Sequence, residues 1–356
     1  SSVGELNDRD TRGGRVALNL ALGRNLQVDY RYDESRADQH SRFSQVVRST
    51  VQGDFGFPGI VVSKGRQTTA SIDGPSFETL DLKGHSLAVE WKLGEAGTLK
   101  YTWAKRDMAW RDALDLDGSP VLFAHTQRLS DYGQRSHELQ FVGGVGAVSY
   151  VAGLFTFKDD GFTDNPQRFF GGAVAFDSRY GFTTKADSAF GQADLKLGPA
   201  LTLTAGVRHT RERKSVDRFL AAGPAVLIPA GTAASTRFSS TTPLASVGYK
   251  LGADHSVYLR YSEGFKSGGF NGEAQSVIKT TTPFRPEKVK AIELGSKSAL
   301  AGGRATLNVA VFRNKITDLQ QAVFTADGSA ASNIRNVGKA TTQGLEVEFG
   351  ARPTAD

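Results

Sequence analysis

Residues 15–33 read Arg-Val-Ala-Leu-Asn-Leu-Ala-Leu-Gly-Arg-Asn-Leu-Gln-Val-Asp-Tyr-Arg-Tyr-Asp, and this stretch decides the fold. Val16, Leu18, Leu20 and Leu22 fall on one face of an extended chain, with Ala17, Asn19 and Ala21 on the other. After Gly23, Arg24 and Asn25 the alternation restarts: Leu26, Val28, Tyr30 and Tyr32 oppose Gln27, Asp29, Arg31 and Asp33. A period of two marks a strand with one apolar face, and a short Gly/Asn break joins two such strands as a hairpin.

The unit returns five more times. Leu87, Val89, Trp91 and Leu93 turn into Leu99, Tyr101 and Trp103; later pairs turn near positions 145, 199, 253 and 302, and a thirteenth strand begins near Thr342. The segments exceed the five or six residues usual for globular strands. Between the hairpins lie long polar stretches, 35–82, 108–134, 158–184 and 214–236, which read as loops. An antiparallel meander makes its turns alternately at two ends, so one end is trimmed and the other carries the bulk.

Composition narrows the class. The 356 residues include 40 Gly, 11 Pro, one Met and no Cys, which fits a turn-rich β protein and removes any disulfide or thiolate metal site. The net charge of +6 is spread without a dense basic run, so nucleic-acid binding is not expected. No window holds 18 consecutive apolar residues, which excludes a spanning helix but not a spanning sheet. The chain starts without Met and its final strand pattern lacks a following partner, so both ends read as cut.

Long strands with one apolar and one polar face, short turns at one rim and long loops at the other describe an outer-membrane β-barrel. In hydrocarbon every backbone donor and acceptor must be paired internally, and a closed barrel achieves this. A soluble sandwich also alternates, but its strands are shorter and its faces less free of charge. Propeller blades pack four short strands into the fifty residues that here hold two long ones. Trp91, Phe141 and Tyr249, close to the short turns, fit an interfacial aromatic belt. The expected fold is all-β: a transmembrane antiparallel barrel, partial, because single-chain bacterial barrels have an even strand number.

From Tyr261 the chain reads Tyr-Ser-Glu-Gly-Phe-Lys-Ser-Gly-Gly-Phe-Asn through Asn271, then Phe-Arg-Pro-Glu-Lys-Val at 284–289, Glu-Leu-Gly at 293–295, Asn-Val-Gly-Lys-Ala at 336–340 and Gly-Leu-Glu-Val-Glu at 344–348. This order resembles the barrel of TonB-dependent outer-membrane receptors of the ferric-siderophore type, as does the opening Leu-Asn-Asp-Arg-Asp at 6–10. The resemblance covers residues 1–356 as one barrel domain. It implies a barrel of about 22 strands, of which this chain supplies roughly strands three to fifteen, filled by an N-terminal plug outside this sequence. It further implies a monomer in the outer membrane of a Gram-negative bacterium, with outer-membrane lipid around it. The siderophore-like ligand would be taken up actively, and the TonB-ExbB-ExbD complex would pull on the plug. A passive porin, or a receptor for cobalamin, haem or an oligosaccharide, is the alternative. No cofactor and no catalytic role are implied.

Candidate sites follow from facing and from the motifs. In the family-like stretch Gly264, Phe265, Gly268, Gly269, Phe270 and Asn271, the glycines are expected to permit positive φ for a bend that the two Phe rings anchor. Lys266 is expected to face the lumen, and Gly344 is a structural motif position. Alternation sends Asp29, Arg31, Glu90, Lys92, Lys100, Arg106, Glu138, Arg208 and Arg260 to the lumen, where Arg208 and Arg260 are the expected plug contacts. Phe55, Phe57, Phe162, Phe169 and Phe170 are candidates for an apolar ligand surface on the loops, or for simple loop packing. The six histidines, at 40, 85, 125, 137, 209 and 255, show no ligand spacing, so no metal site is expected. Ser136 and His137 are strand neighbours pointing to opposite faces and cannot act as nucleophile and base.

Overall fold

The computed structural model describes residues 6–48, 62–324 and 332–352, and Phe55 and Phe57 lie outside them. The strands are β1 (Thr11–Leu22), β2 (Leu26–Gln39), β3 (Phe77–Lys92), β4 (Thr98–Asp115), β5 (Ala124–Val145), β6 (Val148–Asp164), β7 (Gln167–Phe169), β8 (Val174–Leu197), β9 (Leu201–Ala222), β10 (Ala225–Lys250), β11 (His255–Lys266), β12 (Glu287–Leu300), β13 (Ala305–Thr317), β14 (Gln320–Phe324), β15 (Ser332–Asn336) and β16 (Lys339–Ala351). A five-residue helix, α1 (Val277–Thr281), lies between β11 and β12.

Thirteen strands form one antiparallel wall in chain order, β1 to β6, β8 to β13, then β16; β7 patches β5 and β8 from the side, and β14 pairs only with β15. The wall count equals the number of alternating segments in the sequence. Through the apolar band the pairings run in continuous register, for example Val16 opposite Tyr32 and Leu203 opposite Val247, so each apolar set stays on one face across neighbouring strands. Val16, Leu18, Leu20, Leu154, Leu259, Leu294, Val311 and Leu345 are all more than 45% exposed on that face. A soluble sheet would cover such residues, whereas a transmembrane barrel gives them to lipid. The turns between hairpins are tight and glycine-led, with φ of 69° at Gly23 and 68° at Gly198, a conformation that costs other residues energy.

The outer ends differ from the sequence reading. The stretch 214–236, expected to be a loop, is paired backbone: β9 and β10 continue to a two-residue Gly223-Pro224 turn. The stretches 35–82, 108–134 and 158–184 are likewise shortened by strand at both ends. At about 3.3 Å per residue the 26 residues of β10 extend some 85 Å, far more than the 9–11 residues needed to cross hydrocarbon. Beyond the membrane both faces meet water or other loops, so the alternation that reveals a strand fades while the backbone pairing persists. Register shifts between Val226 and Thr232 surround Pro229, which cannot donate to the ladder.

Candidate functional site on the inner wall and outer rim

The register puts Asp29, Glu90, Lys100, Arg106, Arg208 and Arg260 on the face of the wall opposite the exposed apolar residues. Lys100 Nζ lies 2.9 Å from Glu90 across β3 and β4, and Arg106 Nη2 lies 3.2 Å from Asp33. Arg208 stands over the rings of Phe155 and Phe190, 5.3 Å from each centroid, with no carboxylate partner among the described residues. Arg260 is opposite Glu293 in the register, but Glu293 instead accepts from the Tyr258 hydroxyl at 2.6 Å. Lys266 lies on the same face of β11 as Arg260. The inner wall thus combines paired charges with a half-buried cation at Arg208 and an exposed one at Arg260.

At the outer rim the wall is tied together by buried polar groups. Arg218, only 3% exposed, donates to the carbonyls of Arg179 (3.1 Å), Phe219 (2.9 Å) and Ala274 (3.3 Å) and to Ser178 Oγ (2.9 Å). Burial pushes its guanidinium down to about 10, the charge of Glu273 acting in the opposite sense. Its bond to Ala274 draws the segment between β11 and β12 against the wall. Arg128 grips Asp112 with two bonds, Nε to Oδ1 at 3.1 Å and Nη2 to Oδ2 at 2.6 Å, and stacks 4.3 Å over Trp110.

The glycines of the 264–271 stretch work differently from the expectation. None has positive φ. At Gly268 a Cβ would sit 2.3 Å from the Phe284 carbonyl oxygen and 2.6 Å from the Phe238 ring, and at Gly269 it would meet the Phe284 ring at 2.9 Å. Their role is close approach: Gly269 and Phe284 pair backbone to backbone at 3.2 and 2.8 Å. Phe265 lies opposite Lys288 on the face of β11 away from the lumen, and Phe270 is half-buried. Gly344 stands opposite Phe312, whose ring would be 3.1 Å from an added Cβ.

The other motif residues converge on the β14–β15 hairpin. Asn271 bonds the backbone of Ile334 in both directions. Asn336 accepts from the Arg285 amide and donates to the Arg285 and Asp318 carbonyls at 2.8–2.9 Å. Glu287 accepts from the Gln320 amide at 2.7 Å, and Arg285 pairs with Asp318 at 2.5 Å. Segments more than fifty residues apart in sequence become one rim.

The loop aromatics divide. Phe162 lies on the outward face of β6, between Asp131 and Gly181 in the register. Phe169 and Phe170 join Phe123 and Phe176, which the sequence reading missed: Phe123 meets Phe170 edge-on at 5.0 Å and Phe169 meets Phe176 at 6.2 Å. Phe170, at φ 55°, is 54% exposed at the top of the cluster. One grouping departs from the histidine reading, because Asp73, Asp115 and His125 bring ligand atoms within 4.8 Å of one another. The Asp115 carboxylate there accepts the amides of Gly74, Asp117 and Gly118, which makes it a loop knot. Burial pushes that carboxyl above the ordinary Asp range.

The profile of the family described as TonB dependent receptor-like, beta-barrel, matches residues 8–354. The chain belongs to this family. Among solved structures this TonB-dependent receptor barrel is similar to the ferric yersiniabactin uptake receptor FyuA of Yersinia pestis, at TM-score 0.80 and 18% identity over 98% of this chain and 50% of that one. It also resembles the alcaligin outer membrane receptor FauA of Bordetella pertussis, at TM-score 0.61 and 15% identity over 97% of this chain and 51% of that one. Among curated proteins, the pesticin receptor of Yersinia enterocolitica is 28% identical over 173 residues, 48% of this chain and 24% of the receptor. The ferric-pyoverdine 358 receptor of Pseudomonas putida is 32% identical over 110 residues, 30% of this chain and 13% of the receptor. The chain spans about half the length of these solved relatives.

Proposed function

We propose that this chain is the wall and rim of an outer-membrane receptor that takes up a ferric siderophore, energised by TonB through a plug held in the barrel. One observation carries the reading: the family profile extends over 8–354, and the motif residues within it build a braced rim of Asn271, Arg285, Glu287 and Asn336. The matched receptors named for ferric yersiniabactin and ferric pyoverdine support iron as the cargo element. In this reading Phe169 and Phe170 offer the ligand an apolar surface, and Arg208 and Arg260 hold the plug. The siderophore carries its own iron ligands, so the barrel's part is selection, scaffold and lumen chemistry.

The test is uptake of radiolabelled ferric siderophores by cells expressing the full-length parent gene, with TonB present or deleted. Uptake that disappears without TonB supports the proposal. Small-solute entry that persists without TonB would assign the barrel to passive diffusion, and TonB-dependent entry of cobalamin, haem or an oligosaccharide alone would retain the mechanism but replace the cargo.

A further inference from the structure

Along its outer half β10 is paired on one side only. It keeps β9 from Ala225 to Tyr249, but β11 accompanies it only from Leu244 to Lys250. The two strands part at Pro243, which stands opposite Val207 of β9 and has no N–H to give to β11. Above that point β11 stays with β12 as far as Lys266, and a notch opens in the wall. A cavity of about 160 Å³ lies there, lined by Ser239 and Thr242 of β10 and by Glu263 and Lys288.

The ladder fixes the direction of each backbone group on this edge. Lys250 donates its amide to Ala200 on the β9 side and Leu251 donates to His255 on the β11 side, each at 2.9 Å. In an antiparallel strand the N–H and C=O of one residue point to the same neighbour, and the sides alternate. Register is unbroken from Thr232 to Tyr249, so Ala233, Ser235, Arg237, Ser239 and Thr241 turn both groups away from β9. Among the described residues no other backbone or side chain takes them up. The segment after β11 leaves the edge open, because Gly268 packs against the Phe238 ring on the lumen face.

Open edges invite strand pairing, and proteins blunt them with charge, proline, bulges or a cover. Here the register shifts and Pro229 lie beyond Thr232, and between Thr232 and Thr242 the only charged residue is Arg237. Those eleven residues span about 36 Å of regular edge. Lys250 marks the short-turn end, and about ten residues cross the hydrocarbon, so most of the edge stands in water on the long-loop side. Arg237 stands directly opposite Arg213, a like-charge pair that an acid alongside would relieve. Across the notch Lys288 shares the outward face, while Glu263 is already paired with Lys290 at 3.2 Å. Neither Arg237 nor Lys288 makes an ion pair among the described residues.

We propose that this edge docks an extended segment of a partner protein, added as one more antiparallel strand, with a carboxylate on its outward side between Arg237 and Lys288. Main-chain bonds supply the affinity and the acid sets the register. The edge belongs to the wall, so the interaction is independent of the cargo.

The test uses the full-length receptor in detergent with two labelled eleven-residue peptides, one alternating Thr and Glu, the other Thr and Lys. Expected is binding of the Thr-Glu peptide about tenfold or more tighter than the Thr-Lys peptide, weakened by added salt. Residue-resolved hydrogen exchange should then slow at Ala233, Ser235, Arg237, Ser239 and Thr241, and stay unchanged at the even-numbered residues already bonded to β9. Methylating the backbone nitrogens of alternate peptide residues should abolish binding. Ser239→Pro removes a donor that β9 does not use, so this variant keeps its ladder and should weaken the Thr-Glu peptide about tenfold or more. Arg237→Gln combined with Lys288→Gln should erase the preference for Glu over Lys. Equal binding of both peptides, or binding without slowed exchange at the odd-numbered amides, would overturn the proposal. Absence of binding would overturn it too, and would leave the edge to water. The peptide comparison and the exchange pattern on the unmodified receptor decide the matter even if a variant does not fold.

Discussion

Asn271 holds Ile334 from both sides: its Oδ1 accepts the Ile334 amide at 2.8 Å and its Nδ2 donates to the Ile334 carbonyl at 3.3 Å. One side chain thus takes the place of a neighbouring strand for β15, which among the described residues otherwise pairs only with β14. Replacing Asn271 with Ala removes both bonds and should cost about 1–3 kcal/mol of local stability. Hydrogen exchange across 332–336 in the full receptor should accelerate about tenfold or more. Unchanged protection there would show that the hairpin stands without this clamp.

Arg128 and Asp112 predict a larger effect. Asp112 is 3% exposed, so Arg128→Ala would leave a buried carboxylate without its cation at a cost of about 3 kcal/mol. Arg128→Lys loses the two-bond geometry and should fall between wild type and Ala. Urea unfolding of the folded receptor measures this, and a double-mutant cycle with Asp112→Asn isolates the pair.

Asp115 gives a pH dependence of defined sign. Its carboxyl is raised by burial above the ordinary value of 3.8, so the folded rim favours the neutral form. The linked stability is fully present below about 3.8 and is lost as pH rises through the folded value. Asp115→Asn imitates the neutral carboxyl, so the variant's stability relative to wild type should rise from about pH 3 to pH 7. Asp8 behaves oppositely, because the backbone amide of His40 holds its carboxyl below the ordinary range. Its contribution is present above 3.8 and lost as pH falls through the folded value. Thermal melts of the two Asn variants across this range should therefore diverge in opposite directions.

Leu259, 47% exposed between Val247 and Leu294, lies in the lipid-facing band. Leu259→Arg should cost about 2–4 kcal/mol near the bilayer midplane. Refolding of the complete receptor into lipid vesicles measures it, and a neutral result would reverse the assigned facing.

Among the described residues neither Arg208 nor Arg260 makes an ion pair with a carboxylate. Changing both to Ala in the full-length receptor should lower uptake and loosen protease protection of the plug, with wall strands still folded. Full transport with full protection would assign them to a solvated lumen.

The features legible along the chain are those that a lipid–water boundary imposes locally. Leu20 and Leu22 alternate with Asn19 and Ala21 because one face meets hydrocarbon and the other does not, and Gly23 marks the turn because its φ is 69°. Where both faces are wet the signal disappears, and 214–236 accordingly reads as loop although it is paired backbone. The glycines at 268 and 269 were recognisable as important, but not as making room for Phe284 and Phe238, since those rings arrive from other segments.

Alternation and turn spacing alone thus determine thirteen wall strands, their facing and the all-β membrane class, because each depends on neighbours within a hairpin. The tertiary structure decides everything that depends on register and distant contact. It sets Arg135 beside Lys158, Lys185 and Arg213, closes Phe123 on Phe170, and gathers Asp73, Asp115 and His125. The physical reason is that a one-residue slip leaves the composition of every strand unchanged but moves each side chain to the other face, so only the paired sheet fixes which charges stand together.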